Sequence, residues 1–420
     1  MNKNIHLPRL NFSKLRKTTV LVVLFLVVFS SGVYLGRYYN VSLKNRGLNG
    51  VNIERTLPED KKNIDFSLFW NVWDSLRVSY FDPSKLDAKN MVYGAIKGMV
   101  EAVGDPYTVF LPPSENKVSE EDLQGSFQGV GIQIGYKGTQ LAVVAPLPKS
   151  PAERAGVKAG DFIVGIKDEK KGVDRGTVGI SLPDAVSAIR GPKGSTVTLA
   201  LLRQGSDAPI VVDVVREDIS VPSVTVDYLG ENKEIAHISL LKFASDTEGE
   251  WDTAIREVLK SGAKGIILDL RNNPGGYLQS AVDIAGDFLP NGTVAVIQEG
   301  GSGVKSEYKT ARLPRLANYK TVLLVNGGSA SASEILAGAL RDQAKTTLIG
   351  DKTFGKGTIQ EPRQLESGAG LHITVAKWLT PGGEWVNGKG LSPNVEVSDD
   401  TNTPEDEQLK KAQETVESML

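Results

Sequence analysis

Two residues suited to covalent chemistry stand 25 positions apart: Ser331, in the alanine-serine run NGGSASASEILAGAL (326–340), and Lys356, in the glycine-flanked turn DKTFGKGTIQ (351–360). A serine hydroxyl is a weak nucleophile until a base within hydrogen-bond reach takes its proton. Histidine is the usual base, and a lysine kept neutral by burial is another. The chain holds three histidines: His6 precedes an apolar N-terminal segment, while His237 (IAHISLLKF) and His372 (GLHITVAKW) lie in alternating runs and read as ordinary strand residues. Lys356 is therefore the better candidate base. The absence of cysteine excludes thiol catalysis, disulfides and thiolate metal sites.

Each residue also has a plain structural reading. Ser331 to Glu334 spells S-x-x-E ahead of Ile335, Leu336, Ala337 and Leu340, a capping box at a helix N-terminus. Lys356 taken alone is a solvated loop lysine. The two readings are compatible, because a helix N-terminus offers unpaired N–H groups and a positive dipole end to a nucleophile and its oxyanion. The stretch Gly350 to Lys356 also approaches a phosphate-binding P-loop. That pattern requires Ser or Thr after the lysine, and Gly357 stands there, so the magnesium-binding hydroxyl is missing.

The elements that must position these residues are spread over 420 residues, room for two or three domains, with 40% hydrophobic and 23% charged side chains. Forty-eight basic against 50 acidic residues give a net charge of −2, which supplies no field for nucleic acid. Thr19 to Gly36 is uncharged and long enough to cross a bilayer once. Lys3, Arg9, Lys14, Arg16 and Lys17 precede it, which predicts a cytoplasmic N-terminus and an exported remainder. Without a clear A-x-A site, an uncleaved anchor is favoured over a cleaved signal. Beyond a polar tether, Phe66, Phe69, Val72, Trp73 and Leu76 follow helical spacing and predict a packed stripe, and 91–103 repeats the habit. DPYTVFLPPSE (105–115) breaks that helical region with prolines.

From about residue 120 to 204 the pattern turns to short strands, glycines and one helix. GVGI (129–132), SPAERAGVKAGDFIVGI (150–166) and a helix near Pro183 to Ile189 resemble a PDZ domain. The resemblance implies that Gly129, Val130, Gly131 and Ile132 offer backbone N–H groups to a C-terminal carboxylate while the peptide adds as a strand. Arg190, ending the helix, is a further candidate for that carboxylate. Beyond residue 206, apolar strands alternate with helices in an α/β core. Between a strand ending at Leu270 and a helix starting near Tyr277, RNNPGGYL can expose backbone N–H groups with no Cβ in the way.

In that order, the PDZ-like unit, RNNPGG, GSASASEILAGAL and GDKTFGKGTIQ resemble the carboxyl-terminal processing proteases, from roughly Phe66 to Val397. These are tail-specific serine peptidases with a PDZ domain set ahead of a crotonase-like or ClpP-like core. The resemblance implies Ser331 as nucleophile, Lys356 as general base, Gln360 as the residue orienting the lysine, and the backbone of Ala332 with Gly275 and Gly276 as oxyanion hole. It implies no metal or organic cofactor, and substrates with apolar C-terminal tails. In GKGLSPNVEV (388–397), Asn394 replaces the acid of the family pattern, at a position read as structural.

The expected organisation is a cytoplasmic tail (1–18), a transmembrane signal anchor (19–36), a linker (37–62), a helical region (63–118), a PDZ domain (119–205), a protease core (206–400) and a C-terminal helix (401–420) that could pack or join two copies in a homo-oligomer. The catalytic part is then on the outer face of the cell membrane, periplasmic or extracellular. A catalytically idle, membrane-tethered PDZ scaffold is the competing class and requires a broken dyad or a blocked site. An esterase on the same core would act on small acyl esters and not on polypeptide tails.

Overall fold

The computed structural model describes residues 23–34, 63–147, 149–180, 182–203, 205–206, 208–398 and 405–420, in two compact units that divide between Met99 and Val100. In the N-terminal unit, residues 23–34 form an exposed helix α1, followed by α2 (Ser67–Ser79) and α3 (Ala88–Glu101). Of the span expected over 19–36, positions 19–22 and 35–36 lie outside the described residues, as do the expected tail and linker. Among the described residues no helix is long and apolar enough to cross a membrane. The predicted stripe is packed only in part. Trp73 is buried and Phe69 meets Trp70 edge-on with centroids 4.9 Å apart, but Val72 and Leu76 are exposed. Among the described residues of this unit few elements are placed to cover a helical stripe.

The second unit opens with β1 (Val109–Leu111) and α4 (Pro113–Gln124), then builds a small β domain. Its elements are β2 (Ser126–Gly129), β3 (Ile132–Lys137), β4 (Gln140–Pro146), α5 (Pro151–Arg154), β5 (Phe162–Asp168), β6 (Val173–Gly176), α6 (Leu182–Ile189), β7 (Thr196–Leu202), β8 (Ile210–Val215) and β9 (Glu217–Ser220). The sheet runs β3-β4-β5-β7-β8, with β6 on β5. Strand alternation in β7 sends Val197, Leu199 and Leu201 into a core shared with Leu141, Ile163 and Ile166. The chain enters and leaves through an antiparallel β2–β9 ribbon, Ser126 opposite Ser220 and Gly129 opposite Glu217.

The catalytic candidates lie in the remaining elements: β10 (Val224–Leu229), β11 (Ile235–Leu240), α7 (Thr247–Ser261), β12 (Gly265–Asp269), α8 (Leu278–Ala285), β13 (Val294–Gly300), β14 (Lys305–Lys309), β15 (Lys320–Val325), α9 (Ala332–Ala344), β16 (Thr347–Gly350), β17 (Thr358–Gln364), β18 (Gly370–Leu379), β19 (Val395–Glu396) and α10 (Glu407–Glu417). The main sheet is ordered β10-β11-β12-β15-β16-β19, with β11 to β19 parallel and β10 antiparallel at the edge. Parallel strands need cover on both faces, and the alternation supplies it. Ile266, Leu268, Leu323 and Val325 pack with residues of α7, α8 and α9, while Ile267, Val322 and Leu324 pack with Ala412 and Val416 of α10. The C-terminal helix therefore seals this chain's own sheet. Gly265 permits the approach, since a Cβ there would stand 2.2 Å from Val416 Cγ1. A second sheet, β1-β18-β13-β14 with β17 on β18, closes the core from the side.

One buried cation holds the β domain together. Arg216 and Asp168, at 0% and 1% side-chain exposure, pair at 2.7 Å, and Arg216 also donates to Ile189 O (2.7 Å) and Ala188 O (3.3 Å) at the C-terminus of α6. Truncation would leave a buried carboxylate unpaired and a helix end uncapped. Arg216→Ala is expected to destabilise the β domain by about 3–5 kcal/mol, read as a lowered urea midpoint in a far-ultraviolet circular dichroism titration.

Candidate active site

β12, β15 and β16 are adjacent and parallel, with Asp269 opposite Leu324 and Val325 opposite Gly350. The loops that follow them therefore emerge side by side at the carboxyl edge of the sheet, where open α/β sheets place their sites. Those loops carry Gly275 and Gly276, Ser331, and Lys356.

The serine sits at a strained corner between β15 and α9. Ser331 has φ 54° and ψ −112°, a region side-chain-bearing residues seldom enter, at a cost of about 1–3 kcal/mol. A strand-to-helix elbow of this kind lifts a nucleophile clear of its neighbours. Those neighbours are pinned: Ser329 Oγ donates to Leu270 O (2.8 Å) and Ser333 Oγ to Asn273 O (2.9 Å), both buried. Of the three serines in the run, Ser331 is the one that lines a cavity of about 900 Å³.

The glycine turn abuts this corner. A Cβ on Gly275 (φ 98°) would stand 2.9 Å from both Ser331 Cβ and Ala332 N, and one on Gly276 (φ 139°) would stand 2.1 Å from Phe243 O. Neither position admits a side chain. The Gly275 N–H is already bonded to Asn273 Oδ1 at 2.9 Å, so it is not free for an oxyanion, which corrects the expectation from sequence. The N–H groups of Gly276 and Ala332 have no acceptor among the described residues and remain as the donor pair.

Lys356 lines the same cavity. Burial pushes its amine below the ordinary lysine range, while Asp105 and Glu334 pull the other way. Its amine makes no ion pair among the described residues; it lies 5.2 Å from the centroid of the Tyr107 ring. The backbone around it is fixed by Glu334, whose carboxylate accepts from Gly355 N (2.7 Å), Lys356 N (2.9 Å), the Thr353 hydroxyl (2.6 Å) and Ser331 N (2.9 Å). Glu334 thus closes its half of the predicted capping box and reaches the lysine loop as well. A strained serine, a partly buried lysine without an acidic partner and two open N–H groups can carry acyl transfer.

Comparison with known proteins agrees. The model of peptidase family S41 matches residues 234–397, and a PDZ domain model matches 143–203. The carboxy-terminal processing protease CtpA of Bacillus subtilis is 37% identical over 325 residues, covering 77% of this chain and 67% of that protein. The chain belongs to peptidase family S41. A CtpA-like serine protease of Staphylococcus epidermidis is 35% identical over 381 residues, covering 90% of this chain and 73% of that one. The crystal structure of an S41 protease from Bacteroides fragilis shares the fold, with a TM-score of 0.53 and 17% identity over 81% of this chain and 93% of that one. The chain is a C-terminal processing serine peptidase with a PDZ domain.

Other expected site residues of the peptidase are placed less simply. Gln360, on β17 beside a register shift, lines the cavity, but its amide donates to Thr358 Oγ1 (2.8 Å) and Thr374 Oγ1 (3.2 Å) and not to Lys356. In the PDZ domain, the carbonyls of Val130 and Gly131 accept from Ala152 N and Leu147 N, and the Val130 and Gly131 N–H groups have no acceptor among the described residues. Ile132 opens β3, an edge strand bonded on one side to β4, and Gly129 ends β2. Arg190 is not free for a carboxylate. It bonds Glu121 (3.1 Å) and Asp122 (3.5 Å) of α4 and stacks on Phe127, 4.2 Å from the ring centroid.

Three contributors escaped the sequence reading. Glu334 signalled only a local cap. Tyr107 lay in a segment read as a helix breaker, and His372 was read as a plain strand residue; both line the cavity. Burial first, and the nearby Lys356 second, hold the His372 imidazole below its usual range. His237, in contrast, bonds Asp269 at 3.1 Å beside Arg271, which also pairs with Asp406 at 2.8 Å. Asn394 is structural: its side chain accepts from Leu348 N at 2.8 Å. Among the described residues no group of three or more His, Asp or Glu is arranged to hold a metal ion.

An amide at position 334 would turn an NH₂ toward N–H donors. Glu334→Gln is expected to lower stability by about 1–3 kcal/mol and kcat by more than about tenfold with KM nearly unchanged, measured by thermal unfolding and steady-state peptide hydrolysis.

Proposed function

We propose that this peptidase is anchored by residues 19–36, works outside the cytosol, and captures apolar C-terminal tails of exported or membrane-associated proteins through its PDZ domain for cleavage at Ser331. A tail carboxylate would sit on the N–H groups of Val130 and Gly131, with the peptide adding to the free edge of β3. Neutral Lys356 takes the Ser331 proton as Oγ attacks the scissile carbonyl. The oxyanion is met by the N–H groups of Ala332 and Gly276, and collapse expels the amine with the proton held by Lys356. Water then hydrolyses the acyl-serine, the same lysine acting as base. Gln360 supports the lysine side of the cavity.

One observation carries this reading: the hydroxyls flanking Ser331 are spent on backbone carbonyls, while Ser331 opens onto the cavity shared with an unpaired lysine. The idle-scaffold alternative has no observation in its favour.

The test is cleavage of an unfolded reporter with an apolar tail, with products mapped by mass spectrometry. Ser331→Ala and Lys356→Ala are each expected to lose at least about 10⁴-fold in kcat while still binding the reporter. Binding by all three proteins with no cleavage by the unsubstituted chain would sink the proposal. The sign of the pH dependence follows from the base. Activity appears as pH rises through the Lys356 pKa, and burial moves that limb below the range of an exposed lysine. A kcat/KM profile whose acid limb lies at an ordinary lysine value would remove Lys356 as the base.

A further inference from the structure

The backbone of the lysine loop is fixed at three successive residues: Gly355 and Lys356 by Glu334, and Gly357 by Asn387 Oδ1 at 3.2 Å. None of those bonds fixes the amine at the end of a flexible four-carbon side chain. Its defined contact is the face of Tyr107, 5.2 Å from Nζ to the ring centroid, inside the range of about 6 Å over which a ring attracts a cation.

The turn that carries the ring is itself held from two sides. In the turn Asp105–Thr108, the Asp105 carboxylate accepts from Tyr107 N (3.1 Å) and from the Thr108 hydroxyl (2.6 Å). Thr108 Oγ1 accepts from Thr374 N on β18 at 3.1 Å, and the next residues join β18 as β1, with Val109 opposite His372. Thr374 Oγ1 also takes the Gln360 amide. A polar chain therefore runs from Gln360 through Thr374 to the turn that presents the ring. The phenol hydroxyl has no hydrogen bond among the described residues, so the geometry uses the ring and not its oxygen.

We propose that Tyr107 is the positioning residue of Lys356: its ring is the wall that holds the amine in the cavity and keeps water from it. This rests on the reading of Lys356 as general base. The charges that act on the amine are those of Asp105 from the turn and Glu334 from α9, and the amine in turn acts on His372 of β18; Glu115, Glu121 and Asp122 of α4 and Lys242 after β11 also line the cavity. The ring has two opposed effects. Its π face favours the ammonium, and its bulk favours the neutral amine by excluding water. Burial is the larger influence on Lys356, so loss of the ring should raise the amine's proton affinity.

The deciding measurement is competitive acetylation of Lys356 with acetic anhydride across pH, quantified by peptide mass spectrometry in a Ser331→Ala background, so that no catalytic step enters. Tyr107→Ala is expected to move the midpoint up by about one pH unit, a roughly tenfold loss of labelling at fixed pH below it. Tyr107→Phe should titrate as Tyr107 does. In the active enzyme the same alanine variant should lower kcat and shift the acid limb upward, with KM little changed. An unmoved midpoint in Tyr107→Ala, or a shift in Tyr107→Phe equal to that of alanine, overturns the proposal. A Lys356 that titrates as an ordinary lysine before any change at Tyr107 overturns the general-base reading instead. Should Tyr107→Ala lose its near-ultraviolet circular dichroism, Tyr107→Leu, which leaves the wall half filled, is judged by the same criteria.

Discussion

The active region depends on one buried carboxylate. Glu334 is fully buried and accepts four hydrogen bonds, from the backbone of Ser331, Gly355 and Lys356 and from the hydroxyl of Thr353. Among the described residues no cationic side chain pairs with it; its charge is met by N–H and O–H dipoles and by the N-terminus of α9, where it occupies the first turn. The serine elbow and the lysine loop follow different strands, and this bridge ties each to the other. The bridge also has an electrostatic side effect, since a nearby negative charge favours the ammonium form of Lys356. The fold answers by bonding that charge to backbone donors and by burying the amine.

Around this point the sheet supplies direction. Three neighbouring parallel strands release their loops on one edge, and the loops are then stitched together. Asn272 N donates to Asn326 Oδ1 while Asn326 Nδ2 donates to Asn272 Oδ1, and Ala330 N donates to Asn273 O. The opposite face of the sheet contributes through Arg271, which spans Asp269 at the end of β12 and Asp406 just before α10. Burial works against ionisation of Asp269, but bonds from His237 and Arg271 hold its carboxyl below the usual range. Packing of the last helix and placement of the glycine turn are thus mechanically joined, because that turn begins at Arg271.

Much of this was legible from residue types. Alternating apolar runs separated by helical periods define the α/β core, and the combination of a serine at a cap signature with a glycine-flanked lysine points to the dyad. What escaped was set by tertiary partners. Nothing in RNNPGG reveals that the Asn273 side chain takes the Gly275 N–H and leaves that of Gly276, because the choice depends on how the turn folds back on Phe243 and Leu240. Tyr107 and His372 are far apart in sequence and meet at the cavity only through the pairing of β1 with β18. Arg190 sits at the helix end where expected, but the acids that occupy it belong to α4, outside the PDZ sheet. Local patterns name candidates, and long-range register assigns their company.

The conformation of Ser331 has a consequence for how such a protein changes under selection. With φ at 54° and ψ at −112°, its backbone is in territory where glycine is at ease and serine is not. The replacement that best relieves the corner is therefore one that deletes the nucleophile. Thermal endurance and chemistry pull this position in opposite directions, so a screen that rewards heat resistance alone would enrich inert chains. Retention of serine at so uncomfortable an angle marks the corner as one kept for its reactivity and not for the integrity of the fold.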